Sequence, residues 1–154
     1  MNYKENTVKT TLKKNLMKLD KRQLKLFFSI IVHYWLTDKS FISKMNFLHL
    51  WCKLNDHCSA ADASFPDPHI DRKLTTAYCQ AHPFYFIDML EPKLVINLFC
   101  EYLDTRLDIL TTVVNKLLTG GIKDAYEYSN KALGFSEDVD KLAMEAEEYV
   151  KYFS

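Results

Sequence analysis

Glycine and proline are scarce in this chain: its 154 residues contain three of the first and four of the second. Sandwiches and barrels need turn residues between every pair of short strands, so this scarcity argues against both and favours helices joined by short links. It also removes several chemistries. Backbone amides cradle a phosphate only through glycine-rich turns, and neither G-x-x-x-x-G-K-S/T nor G-x-G-x-x-G occurs. The nucleophile elbow G-x-S-x-G is missing, as are the zincin H-E-x-x-H and the Glu-x-x-His pairs of di-iron bundles.

Net charge is lacking too, with 20 basic residues against 20 acidic ones. A neutral protein has no overall field that would draw it to nucleic acid or to an anionic membrane. There is no long apolar run either. LFFSIIVHYWL at 26–36 is interrupted by a serine and a histidine and is too short to span a bilayer. The basic N-terminus has no apolar stretch behind it that would make a secretory signal. These features point to a soluble, cytoplasmic protein, in which the four cysteines stay reduced.

What is present is apolar and aromatic: 48% of residues are hydrophobic and 14% aromatic, enough for one core in a single domain over 1–154. Helical spacing predicts a first helix over Thr7 to Leu19, with Val8, Leu12, Leu16 and Leu19 on one face. Asp20 and Gln23 form a capping-box pattern that opens a second helix, Lys21 to about Leu36, whose near-continuous apolar content marks it as the central one. A third is expected from Phe41 to Leu54, with Met45, Leu48, Trp51 and Cys52 along it. After a loop at 55–67, Pro68 opens a helix to about Ala81, since proline at the first position forgoes only an unmade bond. Pro92 opens the longest helix, expected to run to Leu118 and to end at Gly120 and Gly121. Lys123 to Leu133 and Ser136 to Tyr152 complete the pattern, the last with Ser136 as its cap. The expected architecture is all-α, a compact single-domain bundle of about seven helices with one long helix near 92–118.

Three features are candidates for function. The first is a Cys/His cluster. His49 and Cys52 lie three apart, and Cys79 and His82 repeat that spacing, so two neighbouring helices would offer a Cys2His2 tetrahedron for zinc, with His57, Cys58 and His69 nearby. Zinc sites normally contain a tight Cys-x2-4-Cys or His-x3-5-His knuckle, and none is present. Free cysteine is also among the most buried residue types, so core packing is preferred over a metal or a nucleophilic Cys/His pair, and no cofactor is expected.

The second candidate is charge. Residues 1–25 hold eight basic and two acidic side chains, residues 136–154 six acidic and two basic. The ends would either neutralise each other or address partners of opposite sign. Lys14 and Lys18 on the first helix read first as solvated lysines of an outer helix; as functional contacts they would dock on an acidic protein, lie on an anionic membrane or track the phosphates of a nucleic acid, the last disfavoured by the shortage of arginine. Glu101, Asp104 and Asp108, with Asn97 and Asn115, form a stripe on the expected long helix that reads as its solvated side.

The third candidate is the proline-bracketed segment PFYFIDMLEP at 83–92. So short a helix cannot turn every apolar side chain inward, which makes Phe84, Tyr85, Phe86 and Met89, with neighbouring Tyr78, candidates for a partner-binding patch. The competing role is a wedge filling space between longer helices. Taken together, the sequence reads as a non-enzymatic protein–protein interaction module: an adaptor, regulator, inhibitor or chaperone-like domain. Its partner would be another protein or a second copy of itself. A zinc-stabilised binding domain and a nucleic-acid binder working through the basic first helix are the alternatives.

Overall fold

A computed structural model describes residues 3–35, 41–57, 73, 77, 84–103 and 106–152. The described part is all-α: α1 (Tyr3–Leu16), α2 (Lys21–Trp35), α3 (Lys44–His57), α4 (Tyr85–Met89), α5 (Pro92–Tyr102), α6 (Leu107–Leu133) and α7 (Val139–Tyr152), with no strand among these residues. None of these helices is long and apolar enough to cross a membrane. The helix expected from Pro68 to Ala81 falls almost wholly outside the described residues.

α1 begins earlier than its apolar face suggested and closes at Leu16. Lys18 and Leu19 then donate to the carbonyls of Asn15 and Leu16 at 3.1 Å, a tightened last turn that keeps Leu19 buried. The capping box is formed. Gln23 N–H donates to Asp20 Oδ1 at 2.7 Å and Asp20 N–H to Gln23 Oε1 at 3.0 Å, satisfying two amides that a helix start leaves orphaned.

α2 is the centre of the molecule, buried from Leu24 through Phe28, from Ile30 to Val32, and at Tyr34 and Trp35. α4, α6 and α7 pack around it, and Trp35 reaches α3 through Phe47, with ring centroids 4.3 Å apart. Phe27 and Phe28 meet Phe99 of α5, and Phe28 meets Phe86 of α4, all edge to face. Such pairs add stabilisation beyond the area they bury.

α3 starts at Lys44 instead of Phe41, because Ser43 caps it: Asn46 N–H donates to Ser43 Oγ at 3.2 Å. This shifts the buried face to Phe47, Leu48, Leu50, Trp51 and Leu54 and leaves Met45 exposed.

The long helix expected over 92–118 is two. α5 ends at Tyr102, Leu103 is extended, and Arg106 takes a left-handed conformation at φ 56° before α6 begins. The packing partners explain the break: α5 lies against α1, α3 and α4, whereas α6 lies against α1, α2 and α7. The freed carbonyl of Tyr102 accepts from Asn46 Nδ2 at 3.1 Å. The supposed acidic stripe therefore divides, with Glu101 on α5, Asp108 on α6 and Asp104 outside the described residues.

The stop foreseen at Gly120 and Gly121 is a kink inside α6, where Gly121 has φ 86° and ψ −173° while the helix continues to Leu133. Gly134, at φ 79°, ends it with its N–H on the Asn130 carbonyl, and Phe135 N–H joins the same acceptor at 2.8 Å. This fold-back moves the start of the last helix from Ser136 to Val139. Asp138 caps α7 instead, accepting from Lys141 N–H at 3.2 Å.

Candidate functional site

The link between α6 and α7 delivers polar groups to the flank of the central helix. Tyr34 is fully buried, and its hydroxyl donates to Asn130 Oδ1. Asn130 Nδ2 in turn donates to the Glu137 carbonyl at 3.1 Å, and Glu137 Oε2 lies 2.5 Å from His33 Nε2. A carboxylate only accepts, so Nε2 carries the proton in this contact. The His33 ring also stands edge-on to Tyr34 and Tyr126, at 4.8 and 5.9 Å between centroids. Burial, followed by the negative charge of Glu137, pushes the Tyr34 phenol above the ordinary tyrosine range. Tyr126 moves the same way, through burial first and then through Tyr34, Glu137 and Glu145. Both hydroxyls are therefore neutral throughout the physiological range and act as fixed dipoles.

Beside this chain of bonds a recess of about 310 Å³ opens between three helices. α2 contributes Ser29, Val32 and His33; α6 contributes Tyr126; α7 contributes Leu142, Glu145, Ala146 and Tyr149. The volume is at the lower end for a ligand pocket and suits one large side chain. Ser29 and His33 are one turn apart on α2, with Glu137 behind the histidine, an order that invites comparison with a hydrolase triad. The geometry does not build one. Ser29 Oγ is engaged with the Lys25 carbonyl at 3.1 Å, and the walls are helices whose amides are consumed internally, offering no oxyanion donors.

A second recess, of about 610 Å³, lies between α1 and α5, lined by Lys9, Thr10, Lys13, Asn97, Cys100 and Glu101. Burial pushes the Cys100 thiol up to about 11, only partly offset by Lys13 and Lys9, so it is a protonated packing group and not a nucleophile.

No protein-family model matches this chain, and neither a curated protein nor a solved structure matches it. What the site can do is therefore argued from its geometry.

Asn97 and Glu101 of the polar stripe line the second recess, whereas among the described residues the candidate partner-binding and metal-ligating side chains line neither. Phe84 and Phe86 are 3% and 1% exposed. Phe86 packs on Trp51 at 4.8 Å, and Phe84 meets Tyr149 at 5.3 Å. At those two positions the contact patch is corrected to a core wedge, because α4 is inserted between α2 and α5 with its apolar side inward. Met89 is exposed, the backbone of Tyr85 opens α4, and Tyr78 lies outside the described residues. Asp88, on the outer side of the wedge, holds Lys25 at 2.9 Å and Lys21 at 3.3 Å. The ammonium of Lys25, buried at 4% exposure, also sits 5.6 Å over the Phe84 ring.

Lys14 is exposed on the outer side of α1, and Lys18, expected on the same helix, is exposed in the turn that follows it. Of the basic N-terminal residues, Arg22 reaches the acidic last helix and pairs with Glu147, so the two ends of opposite charge meet at one point of the fold. His49 is exposed on α3 and Cys52 half-buried one turn on, while Cys79 and His82 lie outside the described residues. Among the described residues no three His, Cys, Asp or Glu side chains converge as metal ligands.

The sequence reading missed Ser29, His33, Tyr126, Glu137 and Glu145. A signal for the first two was present: a serine and a histidine four apart in an otherwise apolar, central helix mark one polar notch on it.

Proposed function

We propose that this protein is a non-enzymatic protein-binding module, and that the recess between α2, α6 and α7 receives a side chain of its partner. The observation that carries this reading is the recess itself, a concave site of side-chain size with Val32, Leu142 and Ala146 among its walls and a polar end at His33 and Glu145. The state of the reactive groups agrees with it. The nearby phenols are raised above their usual range, Ser29 is held by a backbone carbonyl, and the Cys100 thiol is protonated.

A photo-crosslinking amino acid at Leu142, in the recess lining on α7, tests the reading. It is expected to yield one discrete crosslinked species in cells, either with another protein or with a second copy of this chain. The same group at Met45, exposed on α3, is expected to yield none. Identical products from both positions would refute the recess as the binding site.

A further inference from the structure

The walls of the recess select among side chains. Tyr149 and His33, both half-buried, present aromatic surfaces over a buried Tyr126, and Glu145 brings a carboxylate into the lining. Glu137 stands directly behind His33. The negative charge is felt inside: both Glu137 and Glu145 raise the proton affinity of the Tyr126 phenol. The α7 helix continues the same sign outside the recess with Glu147 and Glu148.

The cations nearby leave this charge largely unanswered within the recess. Lys141 approaches Glu145 only to 4.0 Å on the exposed side of α7. Arg22 is committed to Glu147, and Lys25 points away to Asp88. An apolar occupant would desolvate Glu145 without compensation, which costs binding free energy. A planar cation avoids that cost and stacks on the rings as well.

Resting on the reading of the recess as a side-chain socket, we infer that its occupant is an arginine of a partner protein, with the guanidinium against the half-buried Tyr149 ring and paired to Glu145. Arginine fits better than lysine because its charge is flat and weakly hydrated and donates through a fork that matches a carboxylate.

The test follows backbone amide resonances of the whole chain on addition of Nα-acetyl-argininamide, with Nα-acetyl-citrullinamide as its uncharged isostere. Arginine is expected to shift Ser29, Val32 and Tyr126 saturably at millimolar concentration. Citrulline should bind about tenfold more weakly, a factor typical of one charge-assisted contact. Glu145→Gln should bring arginine down close to the citrulline level while leaving the melting temperature unchanged, since Glu145 is exposed in the fold. Raised salt should weaken the arginine complex alone. Equal shifts from citrulline would overturn the cationic occupant and leave the socket standing. Equal affinity for Nα-acetyl-lysinamide would overturn the stacked guanidinium. Absence of shifts at the recess with every probe would overturn the socket reading itself.

Discussion

Gly121 is the residue whose replacement tests the architecture most sharply. Its dihedrals, φ 86° and ψ −173°, belong to a region that only glycine enters without strain. A Cβ added there meets no atom within 4 Å, so no packing term enters, and the cost of Gly121→Ala is the backbone term of about 1–3 kcal/mol. Gly120→Ala is the paired control. Gly120 shows no such dihedrals; its new methyl would lie 1.8 Å from Oδ2, 2.7 Å from Cγ and 3.0 Å from Cβ of Asp124, so the carboxylate must swing aside and the contact with Cβ stays tight, which opposes the up to about 1 kcal/mol by which alanine is favoured over glycine in a helix. Gly120→Ala should therefore cost less than Gly121→Ala. Trp35 and Trp51, both buried, report unfolding by fluorescence in urea. At about 2–4 °C per kcal/mol for a chain of this size, Gly121→Ala should lower the melting temperature by several degrees and Gly120→Ala by clearly less. The kink also joins the half of α6 that precedes it to the half that carries Tyr126 and Asn130. If alanine straightens the helix, the hydrogen bond from Tyr34 to Asn130 is lost as well and the cost rises. A Gly121→Ala protein as stable as the parent, within about 0.5 kcal/mol, would refute the kink and with it the placement of the recess walls.

Phe86→Ser removes a fully buried ring from between Phe28 and Trp51 and should cost about 3–5 kcal/mol, read as a collapse of the urea midpoint; a near-neutral effect would return the segment to the surface. Tyr34→Phe leaves Asn130 Oδ1 buried without its donor and should cost about 1–3 kcal/mol, and a double-mutant cycle with Asn130→Ala should show coupling between them. The Cys100 thiol titrates at about 11 when folded against its ordinary 9.0, so between those values the unfolded chain releases a proton that the folded chain keeps. Stability from this group is fully present below pH 9.0 and is lost as pH rises towards 11, on the order of 2 kcal/mol in all. Cys100→Ala should flatten that part of the pH profile relative to the parent. Asp88→Asn leaves the buried Lys25 ammonium with a weaker partner and should cost about 2 kcal/mol, less than a fully buried pair because Asp88 is itself half exposed; an unchanged urea midpoint would show that the Phe84 ring and solvent suffice.

The charge asymmetry along the chain takes on a definite form in three dimensions. α1 packs on α5 and α6 through Leu12 and Leu16, which turns Lys13, Lys14 and Lys18 to solvent, while α7 lies against α2 and α6. The two charged ends therefore stay on separate parts of the surface, joined at Arg22 and Glu147.

What the amino-acid order determines by itself is local. The all-α class follows from apolar spacing and the scarcity of turn residues. The capping box at Asp20 and Gln23, the stop at Gly134 and the central position of α2 follow from chemistry contained within a few consecutive residues, and each is found in the structure. Tertiary structure alone decided the rest. Nothing in EYLDTRLD forbids a continuous helix; the chain breaks there because α5 and α6 bury their faces against different neighbours. Phe84 and Phe86 look equally suited to a surface or a core until α2 and α3 close over Phe86 and α2 and α7 over Phe84. The recess draws on residues as far apart as Ser29 and Tyr149, so no spacing within the chain could announce it. Helix periodicity places a side chain on a face, but which face meets which is set by the packing of all the helices together, and that is where the site arises.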